Sequence, residues 1–283
     1  MKFGVNALLW TLQWTDNHLS LVDKCQRMGF DFIEIPLFEL SFDAAKVARA
    51  LNAAGLEGVG CIAINQSQDI TSTDPGVRAA GVDFLKRCVD KVHEWKGTTL
   101  GGAISTAWYK NVGRPANEDD WKWSSECLKE VAQYAGPAGV KLGVEPINRY
   151  ETFFITTLEQ AAQLVGMIDE PNVKILADLF HMNMEEKNLH DALVQHKGLI
   201  GHLHFAENDR GLLGSGHTDW AGVFQGLAEI GFTETGAIET FVLDVPELAA
   251  ATNIWRRLIP SADVMASAGL AFLKREAARY GLC

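Results

Sequence analysis

Short apolar runs alternate with longer segments of helical periodicity along the chain, and this pattern predicts repeated strand–helix units. In the first unit, the apolar run Phe3–Leu8 is followed by Leu19–Met28, which has one apolar helix face and a stop signal at Gly29. The predicted strands are Phe3–Leu8, Phe32–Ile35, Gly58–Ala63, Leu100–Ile104, Lys141–Glu145, Val173–Ala177, Ile200–Phe205 and Gly236–Glu239. The predicted helices are Leu19–Met28, Ala44–Ala54, Pro75–Trp95, Glu118–Ala135, Leu158–Ile168, Leu189–His196, Trp220–Ile230 and Ser261–Tyr280.

This alternation of strands and helices predicts a parallel sheet, because each parallel strand needs a crossover connection before the next. No GxGxxG motif follows the first strand, although an open dinucleotide-binding sheet would require one. No linker rich in Ser, Gly and Pro divides the chain. We therefore predict an α/β fold in which residues 1–283 form a single (β/α)8 TIM barrel that acts as one catalytic domain.

The composition is that of a globular protein, with 47% hydrophobic and 22% charged residues. A formal net charge of −11 disfavours a nucleic-acid partner, since binding through phosphates needs a basic surface. The N-terminus lacks the features of a signal peptide and no apolar run reaches about 18 residues, so we expect a cytoplasmic protein without a membrane partner. The scattered cysteines, odd in number and without CxxC spacing, indicate reduced thiols at Cys25, Cys61, Cys88, Cys127 and Cys283.

Four ionisable residues stand at the ends of predicted strands 5 to 8, namely Glu145, Asp178, His204 and Glu239. The carboxyl ends of barrel strands meet at one mouth. Burying a carboxylate is costly, and any one of these residues alone could cap a helix or join an ion pair. All four at matching positions predict a bound metal ion. Three carboxylates and one imidazole suit Mn²⁺, our first choice, or Co²⁺ and Mg²⁺, whereas structural zinc prefers Cys/His sets.

Further polar residues follow the same strands and are predicted to surround the metal site. They are Asn148, Arg149, Glu151, His181, Glu207, Asn208, Asp209 and Arg210. Arg210 either holds a substrate oxygen that becomes negative during the reaction or forms a surface ion pair with Asp209 or Glu207. Arg149 is expected to be structural. Trp108, after strand 4, could either wall a sugar pocket or pack against a loop.

The chain resembles the sugar-phosphate-isomerase-like barrels, and most closely the ketose 3-epimerases of the D-tagatose, D-allulose (psicose) and L-ribulose types, in the segments LGVEPINRYET, ADLFHM, GHLHFAENDRG and GAIET. The resemblance implies a homodimer or homotetramer. It also implies a metal held by Glu145, Asp178, His204 and Glu239, and substrate contacts from Glu151, His181 and Arg210. Asn6 stands where some members of the family carry an aromatic residue.

The implied activity is metal-dependent epimerisation of free ketoses at C3. Removing the C3 proton and returning one to the opposite face needs two groups, and we expect Glu145 and Glu239 to be this acid/base pair. Arg210 and His181 would hold O2 as it gains charge. No Lys/Arg cluster accompanies the site, which favours a free sugar over a phosphorylated one. The residues expected to bind the ketose are Glu151, His181, Arg210 and Trp108.

Related barrels leave other activities open. An aldose–ketose isomerase of the hydroxypyruvate isomerase type would move a proton between C1 and C2, and a lyase of the inosose dehydratase type would use a similar site. An apurinic-site endonuclease is disfavoured, because it needs a histidine-rich zinc cluster and a basic surface. Here only one of the four strand-end residues is a histidine, and the net charge is −11.

Overall fold

The barrel is closed by eight parallel strands in sequence order. The computed structural model describes residues 1–282, and Cys283 lies outside the described residues. Each strand pairs with the next, and the eighth pairs with the first. The strands are β1 (Lys2–Asn6), β2 (Phe32–Pro36), β3 (Glu57–Cys61), β4 (Thr99–Gly102), β5 (Lys141–Val144), β6 (Val173–Asp178), β7 (Ile200–Phe205) and β8 (Thr235–Ile238). The predicted (β/α)8 TIM barrel fold class is confirmed.

Helices connect the strands along the described chain. They are α1 (Ser20–Met28), α2 (Ala44–Ala54), α3 (Pro75–Glu94), α4 (Glu118–Ala135), α5 (Leu158–Ile168), α6 (Leu179–Glu185), α7 (Leu189–Gln195), α8 (Trp220–Glu229), α9 (Pro246–Ala251) and α10 (Ala262–Arg279). The predicted bounds of α2, α4 and α5 are correct. Their starts are fixed by the side chains of Asp43, Asn117 and Thr157, which accept hydrogen bonds from backbone N–H groups of the first turn.

The structure departs from the predicted elements at several ends. The short helices α6 and α9, of seven and six residues, are not predicted from the sequence. β1 ends at Asn6, whose side-chain oxygen accepts a hydrogen bond from the Leu8 N–H and begins the 3₁₀ turn Ala7–Leu9. β4 ends at Gly102, where φ is +130° and a Cβ atom would lie 2.0 Å from the Ile62 carbonyl oxygen. Only glycine fits this close approach.

The interior of the barrel is filled in layers, because residues two apart on a strand point to the same side. A buried apolar cluster of Phe32, Val59 and Ala237 lies low in the barrel. His202 packs edge-on against Phe32, with 5.9 Å between the ring centroids. Two positions further along the same strands stand Glu34, Cys61, His204 and Glu239. The apolar layer therefore closes the barrel beneath a polar mouth.

The described cysteines are free thiols, in agreement with the prediction for Cys25, Cys61, Cys88 and Cys127. Burial raises the pKa of the Cys25 thiol to about 12, so this side chain is a neutral part of the core. None of the helices between residues 1 and 282 is long and apolar enough to cross a membrane.

Candidate metal centre and active site

The four predicted metal ligands converge at the mouth of the barrel. Glu145 directly follows β5, Asp178 ends β6, His204 lies near the end of β7 and Glu239 directly follows β8. One ligand atom from each lies within 4.8 Å of the others. The least buried of the four, Glu239, is only 7% exposed. Four buried side chains that each offer a lone pair to one point form a candidate metal centre.

The orientation of His204 supports this interpretation. Its Nδ1 atom lies 3.6 Å from Oε1 of Glu145, 4.0 Å from Oδ2 of Asp178 and 3.3 Å from Oε2 of Glu239. It has no hydrogen-bond partner among the described residues although it is buried. A buried polar atom without a partner is costly. A divalent cation between the three carboxylates would be bound by this nitrogen, so the donor set fits a metal.

Glu34, on β2, is a site residue that the sequence reasoning missed. It is fully buried, and its Oε2 lies 3.0 Å from Nε2 of His204. A carboxylate on the outer nitrogen fixes the tautomer of a metal-binding imidazole, because Nε2 keeps the proton and Nδ1 keeps the lone pair. Burial opposes ionisation of Glu34, but the imidazoles of His204 and His202 hold its pKa well below the usual value. The signal in the sequence was a lone carboxylate within the apolar run FIEIP.

The carboxyl groups of the centre differ in how tightly they hold a proton. Burial raises the pKa of Asp178 to about 8, and the nearby Arg210 guanidinium only partly opposes this shift. Burial likewise raises the pKa of Glu145. Burial also acts on Glu239, but His204 and Arg210 outweigh it and hold the pKa of Glu239 below its ordinary value. Negative charge therefore concentrates on Glu239, and protons concentrate on the other two carboxyl groups.

Arg210 lies inside the site. Its Nη1 donates to Oε2 of Glu239 at 3.0 Å and its Nη2 donates to Oδ2 of Asp178 at 3.1 Å. The guanidinium also stacks on the rings of Phe180 and Phe241, at 4.1 and 4.8 Å from their centroids. The alternative of a surface ion pair is therefore wrong, because Arg210 is only 4% exposed and contacts two carboxylates of the centre.

His181 and Glu151 join the site through a chain of hydrogen bonds. The backbone N–H of Asn148 donates to Nδ1 of His181 at 3.1 Å, so the proton of this imidazole resides on Nε2. That Nε2 lies 3.6 Å from Oδ2 of Asp178. Burial and the positive charge of Arg210 hold the pKa of His181 well below its usual value, which keeps the ring neutral. Glu151 accepts hydrogen bonds from the Asn148 side chain and from Nε1 of Trp108, both at 2.7 Å.

Four polar residues predicted beside the metal are directed elsewhere. Arg149 pairs with Glu185 at 2.8 Å on the surface, and the expected structural role agrees with this contact. Asp209 pairs with Arg256 at 3.2 Å. The Asn208 side chain accepts the His217 backbone N–H. Glu207 is buried but faces its own loop, where it accepts hydrogen bonds from the Gly214 and Thr218 backbones and the Trp220 indole. The turn after β7 thus directs only Arg210 toward the centre.

The centre opens into a cavity of about 450 Å³, a size typical of small-molecule sites. Trp108, Phe180 and Phe241 supply aromatic walls, and Glu145, His181, His204, Arg210 and Glu239 supply the polar end. Trp108 therefore both lines the cavity and orients Glu151. Cys61 also lines it, but burial raises the pKa of its thiol well above the usual value, so it is not a ready nucleophile.

A family model described as "Xylose isomerase-like TIM barrel" matches residues 22–274. The chain is 31% identical to the ketose 3-epimerase of Arthrobacter globiformis over 278 residues, covering 97% of this chain and 96% of that protein. It is 29% identical to the L-ribulose 3-epimerase of Methylomonas sp. (strain DH-1) over 279 residues, covering 97% of each. The crystal structure of the D-allulose 3-epimerase from Methylomonas sp. in complex with D-allulose matches with a TM-score of 0.93 and 28% identity, covering 98% of this chain and 97% of that one.

Proposed function

Because this chain belongs to the xylose isomerase-like TIM barrel family and, within it, to the ketose 3-epimerases, we propose that it inverts the configuration at C3 of free ketoses. The protein is an isomerase that acts on carbohydrates. In this proposal residues 1–283 act as one catalytic domain, and the substrate is a ketose of the D-tagatose, D-allulose or L-ribulose type. The reaction passes through a cis-enediolate that forms when the C3 proton leaves.

The observation that carries this proposal is the placement of Glu145 and Glu239 around one imidazole nitrogen. Their oxygens lie 3.6 and 3.3 Å from Nδ1 of His204, and the two residues follow β5 and β8 respectively. Burial raises the pKa of Glu145, whereas His204 and Arg210 overcome burial and lower that of Glu239. Two carboxyl groups with opposite proton affinities suit an acid/base pair that acts on the two faces of one carbon.

In the proposed reaction, the Glu239 carboxylate removes the C3 proton of one epimer and the Glu145 carboxyl group returns a proton to the opposite face. The roles reverse for the other epimer, since the reaction runs in both directions. A bound divalent metal, Mn²⁺ by preference with Co²⁺ or Mg²⁺ as alternatives, would make C3–H more acidic through the sugar oxygens. The residues that would hold it are Glu145, Asp178, His204 and Glu239.

Other side chains of the cavity are assigned to the remaining oxygens of the ketose. Arg210 and the Nε2–H of His181 hold O2 while it gains negative charge, which is worth roughly 3–4 kcal/mol per well-placed donor. Glu151 accepts a hydrogen bond at the O1 end. Its orientation is maintained by Trp108 and Asn148, which donate to its two oxygens. Trp108 also presents its ring to the sugar.

A free sugar fits the charges of the cavity better than a phosphorylated one. Among the described residues that line it, Arg210 is the only Lys or Arg, and its terminal nitrogens already contact Asp178 and Glu239. A phosphate group would thus lack the free cationic side chains that usually bind it. We propose that the enzyme works as a homodimer or homotetramer in the cytoplasm, with no nucleic-acid or membrane partner.

A panel of free ketoses tests this function. The purified protein is incubated with Mn²⁺ and D-tagatose, D-allulose, D-fructose or L-ribulose, and chromatography separates C3 epimers from aldoses. We expect at least one C3 epimer and no aldose. Aldoses without C3 epimers would instead support an isomerase of the hydroxypyruvate isomerase type, and dehydrated products would support a lyase.

A further inference from the structure

Asn6, at the end of β1, lies directly behind the Glu239 carboxylate. Its side chain is fully buried, and its Nδ2 donates to Oε1 of Glu239 at 3.0 Å. The same amide nitrogen lies 3.5 Å from Sγ of Cys61. β1 and β8 are neighbours in the closed barrel, so this contact forms only when the last strand pairs with the first. Asn6 thus contacts Glu239, one member of the proposed acid/base pair, but does not itself line the cavity.

The backbone fixes which end of the Asn6 amide faces Glu239. Oδ1 accepts a hydrogen bond from the Leu8 N–H at 3.0 Å. A backbone N–H can only donate, so the atom that faces it must be the amide oxygen. The amino group therefore points to the Glu239 carboxylate, which can only accept while it is ionised. The orientation of the amide follows from chemistry at both of its ends.

We propose that Asn6 is a positioning residue for Glu239, and this inference rests on the proposed function. Asn6 holds Oε1 while Arg210 holds Oε2 at 3.0 Å, so the two donors fix the plane of the carboxylate. A fixed carboxylate keeps one oxygen directed at the reacting carbon, and misplacement by about 1 Å can cost roughly a hundredfold in rate. An aromatic ring without a hydroxyl at position 6 would have no donor for Oε1 of Glu239.

Two substitutions separate this role from the cap that Asn6 forms at the 3₁₀ turn. Asn6→Leu removes both contacts and keeps the size of the side chain. Asn6→Ser keeps an oxygen that accepts the Leu8 N–H, but its hydroxyl is too short to reach Glu239. Asn172→Leu is the matched control, because Asn172 donates to the Ala132 and Val140 carbonyl oxygens far from the mouth.

Steady-state kinetics with the best ketose of the panel and calorimetric titration with Mn²⁺ are measured for each variant. We expect both Asn6 variants to lose at least about tenfold in kcat with KM changed by less than about threefold, and to bind Mn²⁺ roughly ten- to a hundredfold more weakly. Asn172→Leu should lower the melting temperature and leave kcat, KM and the affinity for Mn²⁺ unchanged.

Three results would overturn the inference. One is wild-type kcat and Mn²⁺ affinity in Asn6→Ser, which would mean that Asn6 only caps the 3₁₀ turn and does not position Glu239. Another is an equal loss of kcat in Asn172→Leu, which would indicate general destabilisation. The third is wild-type Mn²⁺ affinity in both Asn6 variants. If the wild-type protein binds Mn²⁺ but epimerises no ketose, the proposed function fails, while the titrations still test whether Asn6 positions Glu239.

Discussion

The hydroxyl of Thr240 donates a hydrogen bond to the backbone carbonyl of Arg210. Arg210 has φ +61°, in the left-handed region that non-glycine residues rarely occupy. Its guanidinium returns to the segment that carries Thr240, where Nη1 donates to the Glu239 carbonyl at 3.2 Å and to the Glu239 carboxylate at 3.0 Å. The turns after β7 and β8 are therefore joined by bonds in both directions, and these bonds hold Arg210 in a strained conformation.

Thr240→Val should weaken this connection while keeping the shape of the side chain. The Arg210 carbonyl would lose its buried partner, which costs about 1–3 kcal/mol, and the guanidinium would be held less firmly. We expect a lower melting temperature and a loss of kcat of about tenfold. Thr240→Ser, which keeps the hydroxyl, should recover most of the rate. Equal kinetics in the Val and Ser variants would mean that this hydroxyl does not position Arg210.

Arg210→Ala should reduce kcat by roughly a hundredfold or more, because the oxygen that gains charge loses a donor. Arg149→Ala is the matched control, since this arginine pairs with Glu185 on the surface and its side chain is 62% exposed. This pair lies outside the cavity, so the control should retain wild-type kinetics. A rate for Arg210→Ala close to that of Arg149→Ala would mean that Arg210 does not stabilise the oxygen that gains charge.

Glu34→Gln should weaken metal binding without removing a ligand. The glutamine amide cannot match the carboxylate as an acceptor for Nε2–H of His204, so the favoured tautomer is lost in part. We expect Mn²⁺ affinity to fall roughly ten- to a hundredfold by calorimetry. Glu185→Gln, which changes a carboxylate that pairs with Arg149 outside the cavity, should leave the affinity unchanged. Unchanged affinity in Glu34→Gln would show that this carboxylate does not orient His204.

Metal binding should depend on pH through the protons that Asp178 and His204 hold without a metal, since burial is outweighed by the Glu239 and Glu34 carboxylates, which raise the pKa of His204 well above its usual value. Burial raises the pKa of Asp178 to about 8, so near neutral pH this group holds a proton that a metal ligand must release. Affinity for Mn²⁺ should therefore rise as the pH approaches 8 from below, with uptake of the released proton by the buffer. Calorimetry in buffers of different ionisation enthalpy measures that proton. Affinity independent of pH below 8, with no proton released, would contradict this prediction.

The raised pKa of Asp178 also makes the stability of the metal-free protein depend on pH. The folded-state pKa of Asp178 lies above its ordinary value of 3.8, so its contribution to stability is present below that value and is lost as the pH rises to about 8. A bound cation reverses the preference for the protonated form. Added Mn²⁺ should therefore raise the melting temperature more at pH 8 than at pH 6.

The sequence predicted the barrel and its metal ligands because both leave a periodic signal. Glu145, Asp178, His204 and Glu239 each interrupt an apolar run at the same point of successive units, and parallel strands bring such points together. Glu34 gave a weaker signal because strand 2 has a carboxylate within the strand rather than at its end. The contact between Asn6 and Glu239 depends on closure between β1 and β8, which local periodicity does not encode.

In the loop after β7, the sequence does not reveal which polar side chain faces the cavity. Four consecutive polar residues, Glu207 to Arg210, look equivalent in the sequence. The backbone turns within this segment, and Arg210 adopts a positive φ, so one side chain faces the cavity. The Glu207 carboxylate binds the backbone of its own loop. Which polar residue reaches a site thus depends on turn geometry and on hydrogen bonds made many residues away.

The most direct test of the proposed function is to locate solvent hydrogen in the product. A ketose accepted by the enzyme is incubated with Mn²⁺ in D₂O, and NMR identifies the labelled carbon. Proton removal between Glu145 and Glu239 at C3 predicts deuterium at C3 of the epimeric product, and Glu145→Gln and Glu239→Gln should each abolish this label, since Gln cannot carry the proton. Deuterium at C1 or C2 with an aldose product, and none at C3, would contradict the assignment as a 3-epimerase.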